Sequence, residues 1–393
     1  MTDSPKMLST VIFFAVFFTV YGLLNYYVFL RGWQAIPLGA GWRAWYLVVF
    51  LFLALSFVAG RFLERAWLSH VSSLLVWVGS FWLAAMAYLF FAVVLFDLLR
   101  LANSLLHFLP LSAFDAHGSG RGWYAIVAVG CTILVLLGGY LNALNPEIRS
   151  LSLVIEKRGG TDSTLHIVVA SDIHLGTIVG NSRFKRVVRA VNRLEPDLIL
   201  LPGDVVDEDL GPVIRGNLGE SLRLLKARYG VLAVTGNHEY IGGAREACAY
   251  LEDHGVRVLR DSSVRLPNGV TIVGREDRSM EQFAGRRRTP LSALMAEVDT
   301  LSPVILMDHQ PFGLEEAANA GVDLQLSGHT HHGQLWPFNF ITRAVYEVSW
   351  GYVKKGNTHV YVSSGVGTWG PPVRTGNRPE IVSIRLEFKR AAR

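Results

Sequence analysis

Residues 8–30, 44–60, 71–96 and 122–144 form four long apolar runs that cannot all be accommodated in water. Each approaches or exceeds the roughly 17–25 residues that a helix needs to span a bilayer. The apolar residues surround the helix axis instead of lining one stripe, so a soluble bundle would have no face for solvent. Charge follows the same division: the first 150 residues hold eight of the 37 Lys and Arg and five of the 32 Asp and Glu. Trp33, Trp42, Trp45, Trp67 and Trp123 fall at the ends of the runs, where amphipathic rings favour the headgroup region. The first run follows Lys6 but is too long for a cleaved signal peptide and lacks a small-x-small exit site. Residues 1–150 therefore read as a transmembrane module of about four helices. This local excess explains why 51% of the 393 residues are hydrophobic.

Residues 151–164 read as a linker, rich in charge and carrying Gly159-Gly160, with the alternative that 151–157 add an edge strand. From 165 to 390 short apolar runs alternate with helical periodicity. Strands are expected over 166–170, 198–201, 231–234, 304–307, 324–326 and 360–362. A helix capped by Asn181 or Ser182 is expected to bury Phe184, Val187, Val188 and Val191, leaving Arg183, Lys185, Arg186, Arg189 and Arg193 on a solvated face. Another is expected to begin at Thr289-Pro290. The pattern predicts an α/β domain. Cys131 lies in the fourth apolar run and Cys248 in the second domain, so no disulfide is expected and a reducing compartment fits.

Five clusters sit just past strand-like runs of that domain: Ser171-Asp172-Ile173-His174, Gly203-Asp204, Gly236-Asn237-His238-Glu239, Asp308-His309-Gln310-Pro311 and Gly328-His329-Thr330-His331. Ligand types at the ends of several strands converge on one sheet edge. Two side chains spaced i, i+2 on an extended segment face the same way, so Asp172 with His174, or His329 with His331, can grip one ion. A carboxylate such as Asp204 can bridge two metals roughly 3.5–4 Å apart. Imidazole and carboxylate suit zinc, iron or manganese, with magnesium tolerated, and no cysteine takes part. His332, Asp207 and Glu239 are expected beside the ligands and not among them.

The five clusters resemble the calcineurin-like metallophosphoesterases, whose pattern D-x-H, G-D, G-N-H-[DE], H, G-H-x-H occurs here in full and in order across residues 165–388. The resemblance implies a two-sheet sandwich flanked by helices with the metals at one edge. It implies that Asp172, His174 and His331 hold one divalent ion, that Asn237, His309 and His329 hold the second, and that Asp204 bridges them. His238 would protonate the leaving oxygen, and a hydroxide activated by both ions would attack. The tail from Ser364 to Arg374, followed by Asn377-Arg378-Pro379-Glu380, narrows the resemblance to the YkuE/YaeI-type branch. That branch includes membrane-associated phosphoesterases and an enzyme type that cleaves UDP-diacylglucosamine.

The expectation is a membrane-anchored, metal-dependent hydrolase of a phosphodiester or pyrophosphate bond, with membrane lipids as partners and a lipid-linked substrate such as UDP-diacylglucosamine. A phosphoesterase of soluble nucleotides or phosphomonoesters would share every ligand, and a non-catalytic metal-dependent scaffold is the other alternative; His238 argues against the scaffold. No basic, aromatic-interleaved array of a nucleic-acid module is present. Trp336, Phe338 and Phe340 suit an acyl chain, the bilayer or core packing equally. With four spans, Lys6, Arg61, Arg65, Arg149, Lys157 and Arg158 share the catalytic domain's side, against Arg31, Arg43, Arg100 and Arg121. This predicts a catalytic domain on the cytoplasmic side of a bacterial inner membrane.

Overall fold

A computed structural model describes residues 4–37, 39–107, 120–157, 159–160 and 162–389. Arg158, counted above for orientation, lies outside them. The chain divides into two compact units, residues 1–139 and 140–393.

The first unit contains α1 (Ser4–Ala35), α2 (Arg43–Ala66), α3 (His70–Leu106) and α4 (Gly120–Ala143), whose last turn belongs to the second unit. All four are long and apolar enough to cross a membrane. The second run, the shortest in sequence, extends to 24 helical residues. Hydrocarbon gives apolar side chains no reason to hide from it, so small residues and a few polar contacts hold such helices together. At Gly79 an added Cβ would come within 2.3 Å of the Phe57 backbone, so α2 and α3 approach there as only glycine permits. Val28, Phe50, Ala54, Trp82 and Met86 pack into an interior. Within it the Trp82 indole donates to Asn25 Oδ1 at 2.9 Å.

The second unit is two six-stranded sheets. The first runs β1 (Glu147–Ile155), β12 (Glu380–Phe388), β2 (Thr164–Val169), β3 (Leu198–Pro202), β4 (Val231–Val234) and β5 (Arg257–Val258). The second runs β10 (Gly351–Lys355), β11 (Thr358–Val362), β9 (Leu324–Ser327), β8 (Val304–Met307), β7 (Thr271–Gly274) and β6 (Ser262–Arg265). Strands β2 to β5 are parallel neighbours, as are β7, β8, β9 and β11. Leu165, Ile167, Leu198, Leu200 and Leu232 of one sheet and Ile272, Ile305, Met307 and Leu326 of the other meet in one core. Strand β3 is buried throughout, as befits a central parallel strand covered on both faces. The Asn181–Asn192 helix covers it with Phe184, Val187, Val188 and Val191 buried, the face expected from sequence.

The stretch expected as a linker begins inside a strand. Residues 147–155 form β1, which pairs in parallel with β12 at the sheet edge, from Glu147 opposite Glu380 to Ile155 opposite Phe388. The helix expected from Thr289-Pro290 spans Leu291–Met295, with Pro290 just before it. Arg183 is not on a solvated face. It is buried and donates to Thr368 Oγ1 at 2.9 Å and to the Ala143 carbonyl at 3.0 Å.

Because Leu200 is fully buried between layers, Leu200→Ala is expected to cost about 2–5 kcal/mol in denaturant unfolding of the purified full chain. Leu301→Ala, at a side chain 85% exposed, is expected to change stability by less than about 0.5 kcal/mol.

Candidate metal centre

The parallel strands β2, β3, β4, β8 and β9 all release their chains at one edge of the sandwich, and the five clusters are the first residues past those ends. The turns there are unusual. Asp172 (φ 53°), His174 (52°), Asp204 (50°), His329 (71°) and His331 (45°) all occupy the left-handed region. That conformation costs an L residue about 1–2 kcal/mol. It persists only where the surroundings impose it, as they do at functional sites. Here the His174 amide donates to the Asp204 carbonyl at 3.0 Å, the Asp172 amide to the Gly203 carbonyl at 3.2 Å and the Gly367 amide to the Asp172 carbonyl at 2.9 Å. Close approach does the rest: a Cβ on Gly236 would stand 2.1 Å from Asp204 Oδ1, and one on Gly328 would stand 2.2 Å from Asp172 Oδ2.

Two ligand clusters result. In the first, Asp172, His174 and His331 present donor atoms within 4.8 Å of one another. His174 Nε2 and His331 Nε2 are 3.0 Å apart, and Asp172 Oδ1 is 3.6 Å from His331 Nε2. In the second, Asp204, His309 and His329 converge equally closely. Asn237 joins them, its Oδ1 lying 2.7 Å from His329 Nδ1 and 3.2 Å from His309 Nε2. Asp204 Oδ2 touches both clusters, 3.1 Å from His309 Nε2 and 3.7 Å from His174 Nε2. His309 Nδ1 donates to the Pro202 carbonyl at 2.7 Å, which fixes its tautomer and turns Nε2 inward. Asp172 Oδ2 is buried without a hydrogen-bond partner, an arrangement that costs free energy unless a cation takes that position. The donor set fits two hard or borderline divalent ions.

The electrostatics agree. Burial pushes the Asp172 carboxyl up, more than the neighbouring imidazoles pull it down. Burial acts on Asp204 in the same direction, but His309, His238 and His174 outweigh it and hold that carboxyl well below its usual range. Against its own burial, His309 is held well above the ordinary imidazole value by Asp204 and Asp172. Buried carboxylates thus demand positive charge, and a proton on His309 meets that demand until a metal displaces it. Burial lowers His329 to about 4 and His331 well below its ordinary value, leaving both neutral as ligands require.

His238 stands apart from this pattern. Its Nδ1 lies 3.0 Å from Asp207 Oδ1 and its backbone amide donates to Asp204 Oδ1 at 2.9 Å. Burial would lower its pKa, yet Asp204, Asp207 and Glu208 raise it to about 9. It is also close enough to His174 and Asp204 to complete a ligand triplet. The Asp207 contact suits a protonated ring better than a ligand.

Neighbouring residues sort as follows. Glu239 is buried and accepts from the amides of Asp204 (3.1 Å), Gly236 (2.7 Å) and Val206 (3.0 Å), tying the second ligand loop to the third. His332 faces Ser349 Oγ at 3.1 Å, away from both clusters. Asp308 is held by Arg275 at 3.1 Å and Arg288 at 2.8 Å. Arg288, the last of the basic run at 286–288, is therefore structural. Arg374 had no role assigned from sequence. It is fully buried, its Nη2 lies 3.1 Å from His331 Nδ1, and it donates to the Gly367 carbonyl and to Asn377 Oδ1. A lone arginine in a Pro-Val-Arg-Thr stretch has no periodicity to betray such a contact.

The family profile of the calcineurin-like phosphoesterases matches residues 165–333. A zebrafish (Danio rerio) transmembrane protein with metallophosphoesterase domain is 32% identical over 364 residues, covering 88% of this chain and 81% of that one. An uncharacterized metallophosphoesterase of Aquifex aeolicus is 35% identical over 260 residues, covering 65% of this chain and 98% of its own length. The metallophosphoesterase YkuE of Bacillus subtilis is 31% identical, covering 56% of this chain and 78% of that one. With two clusters of candidate ligands at one sheet edge and relatives matched over most of their length, the chain belongs to the calcineurin-like metallophosphoesterases and is a metal-dependent phosphoesterase with membrane-competent helices.

Proposed function

We propose that this protein cleaves a phosphodiester or pyrophosphate bond of a lipid-linked substrate, of the UDP-diacylglucosamine kind, with its catalytic domain on the cytoplasmic side of the membrane. The observation that carries two-metal hydrolysis is Asp204 Oδ2, in reach of His309 Nε2 at 3.1 Å and His174 Nε2 at 3.7 Å, one from each candidate cluster. Asp172, His174 and His331 would hold one divalent ion and Asn237, His309 and His329 the other, with Asp204 shared between the two sets. Manganese, iron and zinc suit these donors best. The ions supply a water of lowered pKa and offset charge on the phosphoryl oxygens.

The chain's own residues supply the rest. Asp207 engages His238 Nδ1, leaving Nε2 as the proton-bearing atom for the leaving oxygen. Membrane helices favour a lipid-borne substrate because tethering raises the local concentration of enzyme at the bilayer. The excess of Lys and Arg on the side shared by both termini supports the cytoplasmic placement.

His238→Ala is expected to lower turnover by about 10²–10⁴ with metal content unchanged by elemental analysis; unaltered turnover would remove His238 from the acid role. Asp207→Asn is expected to lower turnover by about 10–100-fold, again with metal retained. Asp204→Asn is expected to lose both metal and turnover. Dialysis against a chelator should abolish hydrolysis of bis-p-nitrophenyl phosphate, and Mn²⁺ should restore it. Detergent-purified enzyme should prefer a lipid-linked pyrophosphate to soluble nucleotides, and equal rates would contradict the substrate assignment.

A further inference from the structure

The helix Asn339–Val345 is amphipathic in the wrong sense for a helix lying on a water-soluble domain. At about 100° per residue, Phe340, Ile341, Ala344 and Val345 share one side, while Asn339 and Thr342 share the other. The apolar side is the exposed one: Phe340, Ile341 and Val345 are each more than half exposed, whereas Asn339 is buried. A solvated helix places such residues inward.

The helix does not stand alone. Trp336, just before it, is also more than half exposed, and its amide donates to Thr375 Oγ1 at 3.0 Å. Two residues earlier, Gln334 donates to the carbonyls of Trp369 (3.0 Å) and Pro371 (2.9 Å) and accepts from the Trp369 amide at 3.0 Å. Trp369 is itself half exposed, so both tryptophans are carried on one stitched pair of loops. This surface flanks the metal centre on two sides. The Trp369 ring lies 6.1 Å from that of His238, and the Tyr346 ring, at the end of the helix, lies 6.0 Å from that of His329.

We propose that Trp336, Phe340, Ile341, Val345 and Trp369 form an interfacial surface that rests in the headgroup region of the bilayer beside the metal centre. Three observations select a bilayer over another occupant. The chain's own four membrane-competent helices keep a bilayer within reach. Paired tryptophans with a Phe-Ile-Val face match the chemistry of the interface, where amphipathic rings and short apolar faces partition. The exposed Arg343 on the flank of the helix suits anionic headgroups. The surface rests on exposure and composition, and it stands whether or not the substrate is a lipid.

The test uses the full chain in vesicles of phosphatidylcholine and phosphatidylglycerol containing doxyl-labelled lipid. The chain carries Cys131→Ala, and Cys248 is buried from the label. An NBD fluorophore is placed at Phe340→Cys, and, as the control, at Leu301→Cys, an apolar position 85% exposed on the same domain. The expected result is strong quenching and a blue shift at 340, with neither at 301. Equal quenching at the two positions, or none at 340, would overturn the proposal. A blue shift at 340 that grows with protein density and resists doxyl quenching would replace the bilayer with a second copy of the chain and overturn it equally.

Discussion

The arrangement of the catalytic unit depends on one buried carboxylate. Asp204 contacts a histidine of each cluster through Oδ2, accepts the His238 amide through Oδ1, and donates its own amide to Glu239. Removing a carboxylate from water costs several kcal/mol unless charge and hydrogen bonds compensate. Here the partners come from three other chain segments far apart in sequence, so burying Asp204 at the end of β3 requires that the ends of β2, β4 and β8 all be in place. The two sheets supply that placement by packing Leu, Ile and Val side chains between them. Close packing makes the loop positions stiff, and stiffness is what allows Asp172, His174, Asp204, His329 and His331 to remain in left-handed conformations.

Around this centre the histidines differ in the partners that their ring nitrogens meet. His309, His329 and His331 have one ring nitrogen directed at the ligand clusters, and His309 has the other fixed by a backbone carbonyl. His238 differs because its partner is a carboxylate outside the ligand set, Asp207. His238, His309, His329 and His331, in the same small volume, are therefore shifted in opposite directions by their neighbours and their burial. Arg374 extends the same logic outward: a buried cation beside His331 Nδ1 joins the ligand loop to the Gly-Pro-rich tail that carries Trp369.

Much of this was legible in the sequence, for physical reasons. The four helices announce themselves because hydrocarbon tolerates apolar residues on every face, and the observed helices extend the expected runs by a few residues at most ends. The candidate ligands announce themselves because each cluster follows a short Val/Ile/Leu-rich strand, and the fold brings those clusters to one sheet edge. The alternation of those runs gave away the α/β class. What escaped depends on partners distant in sequence. The edge strand offered over 151–157 catches only the second half of β1; residues 147–150 are mixed and half-exposed, and become strand by pairing with β12 more than two hundred residues later. Arg183 read as a solvated charge because nothing local reveals Thr368. Trp336, Phe338 and Phe340 suited an acyl chain, the bilayer or core packing equally, and the observed exposure of Trp336 and Phe340 removes core packing for those two.

The central claim is that Asp204 lies between two metal ions. Anomalous scattering from crystals of the manganese-loaded full chain tests it most directly. The account predicts two peaks roughly 3.5–4 Å apart on either side of Asp204 Oδ2, one beside Asp172, His174 and His331 and the other beside Asn237, His309 and His329. A single peak, or two peaks with Asp204 bonded to His309 and to neither ion, would contradict it.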